Sequence, residues 1–369
     1  MGIRINTKII LFVGPLPPPL NGYSFVNSKM YELLGKTNKL TVIDRTKVST
    51  KLRFPTSIVV ALISTLWCSA KVLLNCLFLR PKSAYVGVSG GYGQVLELFP
   101  LILLRFFGVK VYFHHHSFCY VNRIRLYNRL FFCLGSKNAV HIVLCESMGN
   151  GLTVNYGIPE SNMRVVSNIN FLGPVENSMT NTEIREGALK IGFLSNITRE
   201  KGIFSYFDVL EKLKEDGCEV RGVIAGPVDE DIRIEFEKRI RANTYIEYIG
   251  AAYDENKVNF YDGIDLLLFP TEYPNEAEPV TIYEALKRGV NVIAYSRGCI
   301  PGINFGKYGR CISSSTNQLA ELVCAARQFV MLKRDRRNIR KAAVSAYMEM
   351  FSRCNAQLLN VLNELSESN

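Results

Sequence analysis

The chain has 369 residues, enough for two domains of ordinary size, and 48% of them are apolar, which excludes global disorder. Charge is unevenly placed: residues 1–180 carry 19 Lys+Arg against 6 Asp+Glu, whereas the remainder carries 25 against 27. A basic first half implies a polyanionic partner. With no helix-turn-helix, RRM or zinc-finger pattern and no basic runs interleaved with aromatics, an anionic membrane surface is expected and nucleic acid is not. The ten cysteines lack any C-x-x-C pair and read as a reduced cytosolic set, with neither a disulfide framework nor a zinc site.

The opening run is short and stops in prolines, so Ile9–Gly14 is predicted as a buried first strand and not a signal peptide. A Pro-rich loop through Gly22 follows, then a helix from about Phe25 to Leu34, which is the strand–glycine loop–helix opening of a Rossmann-like unit. Residues 39–44 are a second strand. Phe54–Leu79 is the most hydrophobic segment, near the length that spans a membrane. Ser57, Ser64, Lys71 and Asn75 fall on one helical stripe, and Lys51, Arg53, Arg80 and Lys82 flank both ends. A helix packed on the sheet and touching a membrane surface is therefore expected, rather than a span. Strands at 84–88 and 109–113 bracket a helix at 97–107. His114, His115 and His116 end the latter strand; neighbours there alternate faces, so at most two share a site, and no metal is expected. Asn122–Leu134 reads as one basic amphipathic helix, with Arg125 and Arg129 four apart, suited either to anionic lipid or to water. A strand at 140–145 and a helix at 146–156 close this half.

Residues 173–187 are polar and turn-rich, a linker. Strand–helix alternation then restarts: strand 189–194, a loop holding Asn196, Arg199, Lys201 and Gly202, helix 203–216, strand 220–225, strand 246–249 with Gly250 and Ala251 after it, and helix 255–261. Asp229 and Asp231 form a D-x-D that the dipole at a helix start explains without a metal. After the buried run 265–270 comes EAEPVTIYEALKRG, in which Glu276 and Glu284 bracket a helix predicted to start near Pro279. The N–H groups of Val280, Thr281 and Ile282 then point into the gap, where unpaired donors and the dipole favour a phosphate. A carboxylate on each side, accepting from hydroxyls, makes a nucleotide-sugar site plausible chemistry; two solvated glutamates on a capped helix are the plain alternative. A strand at 290–294 and a helical stretch from 333 to 365 end the chain.

Pro270-Thr-Glu…Glu276-x7-Glu284-Ala-Leu…Gly289-Val-Asn-Val-Ile-Ala resembles the E-x7-E signature of the retaining, two-domain GT-B glycosyltransferases of family 4, also called group 1. The resemblance implies an α/β fold of two doubly wound parallel sheets, Rossmann-like, facing a central cleft. It implies an acceptor-side domain at 1–180, a donor domain at 181–345, and a last helix, 346–369, crossing back. By resemblance Glu284 accepts from the ribose hydroxyls, Glu276 contacts the sugar, Lys201 stabilises the departing diphosphate, and His116, with His114 in reserve, positions the hexose. Gly22 lines the phosphate side, Gly250 and Ala251 cradle the base, and Val280 and Thr281 meet the phosphates. Asn196 stands where the family usually has an arginine, so leaving-group stabilisation rests on Lys201, Arg199 and the helix start. Pro279 and Glu278 depart from the family's usual E-G-F-G, and a proline donates no hydrogen bond.

The implied function is metal-independent, retaining transfer of a hexose-type sugar from a UDP- or GDP-linked donor, with no cofactor. The basic first half suggests a lipid-linked glycan acceptor in polysaccharide assembly, on the inner face of the plasma membrane. A same-fold transferase with a soluble acceptor and an inactive, membrane-associated binding protein are the alternatives.

Overall fold

The computed structural model describes residues 6–45, 56–135, 139–176, 187–313, 316–332 and 335–367. Most of the expected linker (177–186) and the flanking Lys51 and Arg53 lie outside these. The chain forms two compact units, Met1–Phe171 with Cys354–Asn369, and Leu172–Arg353.

The first unit holds six strands, β1 (Asn6–Gly14), β2 (Asn38–Asp44), β3 (Ser83–Val88), β4 (Lys110–His115), β5 (Val140–Val143) and β6 (Met163–Val165), in the order β2-β1-β3-β4-β5-β6. All pair in parallel. Helices α1 (Gly22–Gly35), α2 (Thr56–Phe78), α3 (Gly93–Phe106), α4 (Cys119–Asn122), α5 (Leu126–Gly135) and α6 (Glu146–Tyr156) connect them. Every residue of β3 and β5 is buried, as parallel strands covered on both faces require. α1 starts three residues before the expected Phe25, because Asn21 and Ser24 form a reciprocal capping box: each side chain accepts from the other's backbone N–H at 3.0 Å.

The single helix expected at 122–134 is broken. Arg123 is extended and closes α4, and the Arg125 N–H donates to Asn128 Oδ1 at 2.9 Å. Asn128 is itself anchored, donating to buried Gln94 at 2.6 Å. A tertiary hydrogen bond thus overrides the amphipathic period, and Arg125 lies in the loop over the Tyr92 ring.

The second unit holds β7 (Leu189–Leu194), β8 (Val220–Ala225), β9 (Ile246–Tyr248), β10 (Leu266–Phe269), β11 (Asn291–Tyr295) and β12 (Arg310–Ile312), ordered β12-β11-β10-β7-β8-β9 and parallel throughout. Its helices are α7 (Ile203–Glu215), α8 (Arg233–Ala242), α9 (Asp254–Gly263), α10 (Val280–Lys287) and α11 (Gln318–Met331). α7 buries Ile203, Tyr206, Phe207, Leu210 and Leu213, one face at helical spacing, and Tyr206 spends its hydroxyl on the Ile191 carbonyl at 2.7 Å. The final helix, α12 (Arg336–Glu367), belongs to the second unit as far as Arg353 and to the first from Cys354. Its last turns are tied to the first sheet: Ser83 Oγ donates to the Leu365 carbonyl, Tyr112 OH to that of Glu364, and Arg164 pairs with the Glu364 carboxylate at 2.7 Å.

Both sheets have a point where strand order reverses, β1/β3 in the first and β7/β10 in the second, and ligands of such sheets bind beyond the strands' carboxyl ends there. Eight of the ten cysteines are free thiols: Cys68, Cys76, Cys119, Cys133, Cys218, Cys311, Cys324 and Cys354.

Candidate active site

At the second unit's reversal point, the loops leaving β7 and β10 lie side by side. Gly202 makes this possible. Its φ is +81°, and a Cβ there would fall 1.9 Å from the Pro270 carbonyl oxygen, so the two loops touch backbone to backbone only with glycine. The contact is tied by the Glu272 N–H donating to the Glu200 carbonyl at 2.8 Å. Lys201 is thereby aimed across the gap, and its Nζ donates to Glu276 Oε2 at 2.6 Å, with Thr271 Oγ1 donating to the same oxygen at 3.0 Å. The Lys201 ammonium also lies 4.7 Å from the centre of the Tyr273 ring. Lys201 and Glu276 side chains are only 22% and 11% exposed, so this pair is more than a solvated surface contact. Behind it, Gly298 (φ +53°) brings the loop after β11 so close that a Cβ would meet the Glu276 carbonyl oxygen at 2.2 Å.

α10 begins at Val280, with extended Pro279 as its N-cap rather than its first residue. The Ile282 N–H is already spent on the Pro279 carbonyl, so of the three expected phosphate donors only Val280 and Thr281 stay in the reading. Glu284, one turn in, accepts from Tyr261 OH at 2.9 Å and is paired with Lys257 at 2.6 Å. Lys257 and Tyr261, four apart on α9, present one face to it. Burial, reinforced by the Glu284 charge, holds the Tyr261 hydroxyl well above its usual pKa, so it donates and does not ionise. Glu278 is buried and accepts from Tyr283 OH at 2.6 Å.

Arg199 points elsewhere: it pairs with Glu235 of α8 and stacks on Phe204, which removes it from the cation set expected beside Lys201. Asn196 is exposed in the loop after β7. Gly250 and Ala251 follow β9, and the Gly250 carbonyl accepts from the Gly226 N–H at 2.8 Å. The Asp229 carboxylate caps its own turn through the Asp231 N–H, and Glu230 pairs with Arg233. Among the described residues, no three His, Cys, Asp or Glu are grouped to hold a metal ion.

In the first unit, Gly22 is the first residue of α1, and His116 follows the end of β4. His116 rests on Tyr23 and His114, with ring centroids 4.6 and 4.2 Å apart. A hydrogen-bond chain fixes His114. Asn27 Nδ2 donates to the Pro15 carbonyl, which leaves Oδ1 to accept from Tyr85 OH, and the Tyr85 oxygen then accepts from His114 Nδ1 at 2.7 Å. His114 is therefore the Nδ1-protonated neutral tautomer. Burial lowers its pKa to about 3, and that of His141 likewise to about 3. His115 faces the other way, between Tyr120 OH and His141. The expected alternation holds: His114 and His116 share a face and His115 does not.

The sequence reading missed Lys257, Tyr261, Thr271 and Tyr273 in the second unit, and the buried Arg45–Glu97 pair in the first. Only Lys257 and Tyr261 carry a usable sign, their four-residue spacing on a helix that runs into the key strand.

Residues 174–345 match the family model described as glycosyl transferases group 1. No curated protein matches the chain in sequence. Among solved structures, the chain is similar to Anabaena HepE in complex with UDP at 16% identity and a TM-score of 0.71, with 97% of this chain and 100% of that one covered. It is similar to a glycosyltransferase of Rickettsia africae at 16% identity and a TM-score of 0.71, covering 99% and 100%. Sucrose-phosphate synthase of Thermosynechococcus elongatus matches at 12% identity and a TM-score of 0.73, covering 98% and 100%. The likeness establishes the fold as the two-sheet α/β architecture of GT-B glycosyltransferases. With a group 1 domain spanning the loops that carry Lys201, Glu276 and Glu284, the protein is a glycosyltransferase.

Proposed function

We propose that the protein transfers a hexose-type sugar, with retention and without a metal, from a UDP- or GDP-linked donor to a lipid-linked glycan. The setting is assembly of a cell-surface polysaccharide such as O-antigen, capsule or exopolysaccharide, at the cytoplasmic face of the membrane. The observation that carries the reading is the Lys201–Glu276 pair at the β7/β10 reversal point, with the loop of Glu276 leading into α10 and Glu284 one turn inside that helix. The complexes of Anabaena HepE with UDP and with UDP-glucose support the donor class.

In this reading the donor's diphosphate takes the place Lys201 now gives to Glu276. The ammonium and the first amides of α10 meet the charge that builds as the C1–oxygen bond to the diphosphate breaks. Glu276, freed from Lys201, accepts from sugar hydroxyls, and Glu284 accepts from the ribose. The acceptor oxygen bonds to C1 on the face the diphosphate leaves, and its proton passes to a departing phosphate oxygen. Gly22, Asn196, Gly250 and Ala251 are assigned to phosphate and base contact, and His116 to the hexose.

The test is transfer from labelled UDP- and GDP-sugars to a lipid-linked glycan, with and without EDTA, the product's anomeric configuration being read by NMR. A retained anomer formed equally in EDTA is expected. An inverted anomer, a metal requirement or transfer only to a soluble acceptor would each overturn the corresponding part.

A further inference from the structure

α2 is built inside out for a soluble helix. Its buried side is a narrow stripe of Thr65, Cys68, Val72 and Cys76, while Leu62, Ile63, Leu66, Trp67, Leu74 and Phe78 are 49% exposed or more. At 100° per residue these exposed apolar side chains cover an arc of about 160°. Ser64, Lys71 and Asn75, from the expected polar stripe, flank the buried side and do not face outward as a group. α3 packs on α2 and α5 on α3, and both continue the pattern. α3 exposes Val95, Phe99, Ile102 and Phe106, and α5 exposes Leu126, Leu130 and Leu134. The result is one apolar face shared by three adjacent helices, far larger than scattered surface leucines account for.

Charge selects its occupant. Residues 56–135 contain eight Lys and Arg and a single acid, Glu97, which is 3% exposed and paired with Arg45. A second copy of this face would set cations against cations in a two-fold interface. An anionic bilayer matches both properties, with acyl chains for the apolar stripes and phosphates for Lys71, Arg105, Arg123 and Arg129. Lys71 already lies 5.0 Å from the centre of the Trp67 ring, an aromatic–cation pairing suited to the headgroup level.

We infer that α2, α3 and α5 form an in-plane membrane-docking face that enters one leaflet of an anionic bilayer without crossing it. This deepens the proposed reading by naming the surface that holds the enzyme beside a lipid-linked acceptor, and it rests on that reading only for its purpose.

Trp67 is the chain's one tryptophan, so its fluorescence reports on this face alone. The full-length protein is titrated with vesicles of phosphatidylcholine, or of phosphatidylcholine with phosphatidylglycerol, carrying bromine at shallow or deep acyl positions. The expected result is a blue shift with the anionic vesicles, weakened as salt rises from about 0.1 to about 0.5 M, and strongest quenching by shallow bromines. The pair Phe99→Ser with Phe106→Ser, at side chains 61% and 82% exposed, lowers vesicle affinity about tenfold or more while leaving the melting temperature and nucleotide binding unchanged. Unchanged Trp67 emission, equal binding to both vesicle types, or strongest quenching at the bilayer centre would each overturn the inference. Nucleoside-diphosphate binding without vesicles tests the transferase reading separately, so either can fail alone.

Discussion

In the first unit, the strands' carboxyl ends carry neutral groups locked in chains, Asn27–Tyr85–His114 and Tyr120–His115–His141, around one buried ion pair, Arg45–Glu97. In the second, they carry two partly buried ion pairs, Lys201–Glu276 and Lys257–Glu284. The same parallel α/β plan thus supports two kinds of charge. The Arg45–Glu97 pair is the more enclosed: its side chains are 17% and 3% exposed, and the Ser89 N–H also donates to the Glu97 carboxylate at 3.1 Å. The pairs of the second unit are held at loop tips and at a helix start, where an anion or a hydroxyl can displace one partner. A buried pair contributes specificity and is costly to break, whereas a displaceable one contributes binding.

Four results sharpen or break this contrast. The largest is expected for Lys201→Ala, which should lower turnover by about 10²–10³-fold in a steady-state assay while leaving the melting temperature nearly unchanged. A loss of stability as large as the loss of turnover would mean the pair is structural. Next, Glu97→Ala should do the reverse, destabilising the first unit by roughly 3–5 kcal/mol in denaturant titration, because it strands the Arg45 guanidinium.

Third, all four histidines lie in the first unit, and burial holds each below its usual pKa. The folded pKa is the lower one, so below about pH 6.5 the unfolded chain binds more protons and stability falls as pH falls. Between about pH 6.5 and pH 5, His114 alone should remove roughly 2 kcal/mol. Calorimetry should show a first-unit transition that moves down over this range, and His114→Gln should flatten it. A second-unit transition that moves as much would contradict the assignment. The smallest effect is expected for Arg199→Ala, under about threefold on turnover, since Arg199 is held in a solvent-exposed pair with Glu235. A loss matching that of Lys201→Ala would return Arg199 to the phosphate.

Where one segment's own pattern decides the outcome, the sequence reads well. β7, β8 and α6 begin and end at the expected residues, and Gly202 after Lys201 foretells a turn. It reads poorly where a distant partner decides. The break before α5 depends on Gln94, 34 positions away from Asn128. β12 is three residues with one buried side chain, too short for any period. α11 is different: Leu322, Ala326, Phe329 and Val330 recur at helical spacing, and the expectations simply stop short of it. At the site, Glu276, Glu284 and Lys201 follow from motif and chemistry, but their pairing follows from strand order. Only the order β10-β7 sets their loops side by side.

The central claim is that Lys201, Glu276 and Glu284 form a nucleoside-diphosphate site. It is tested most directly by thermal shift of the full-length protein and of Glu284→Ala against UDP, GDP and ADP, with and without EDTA. The account predicts that one nucleotide raises the melting temperature by several degrees, equally in EDTA, and that Glu284→Ala loses the shift. An equal shift in the variant, or one that requires a divalent ion, would contradict it.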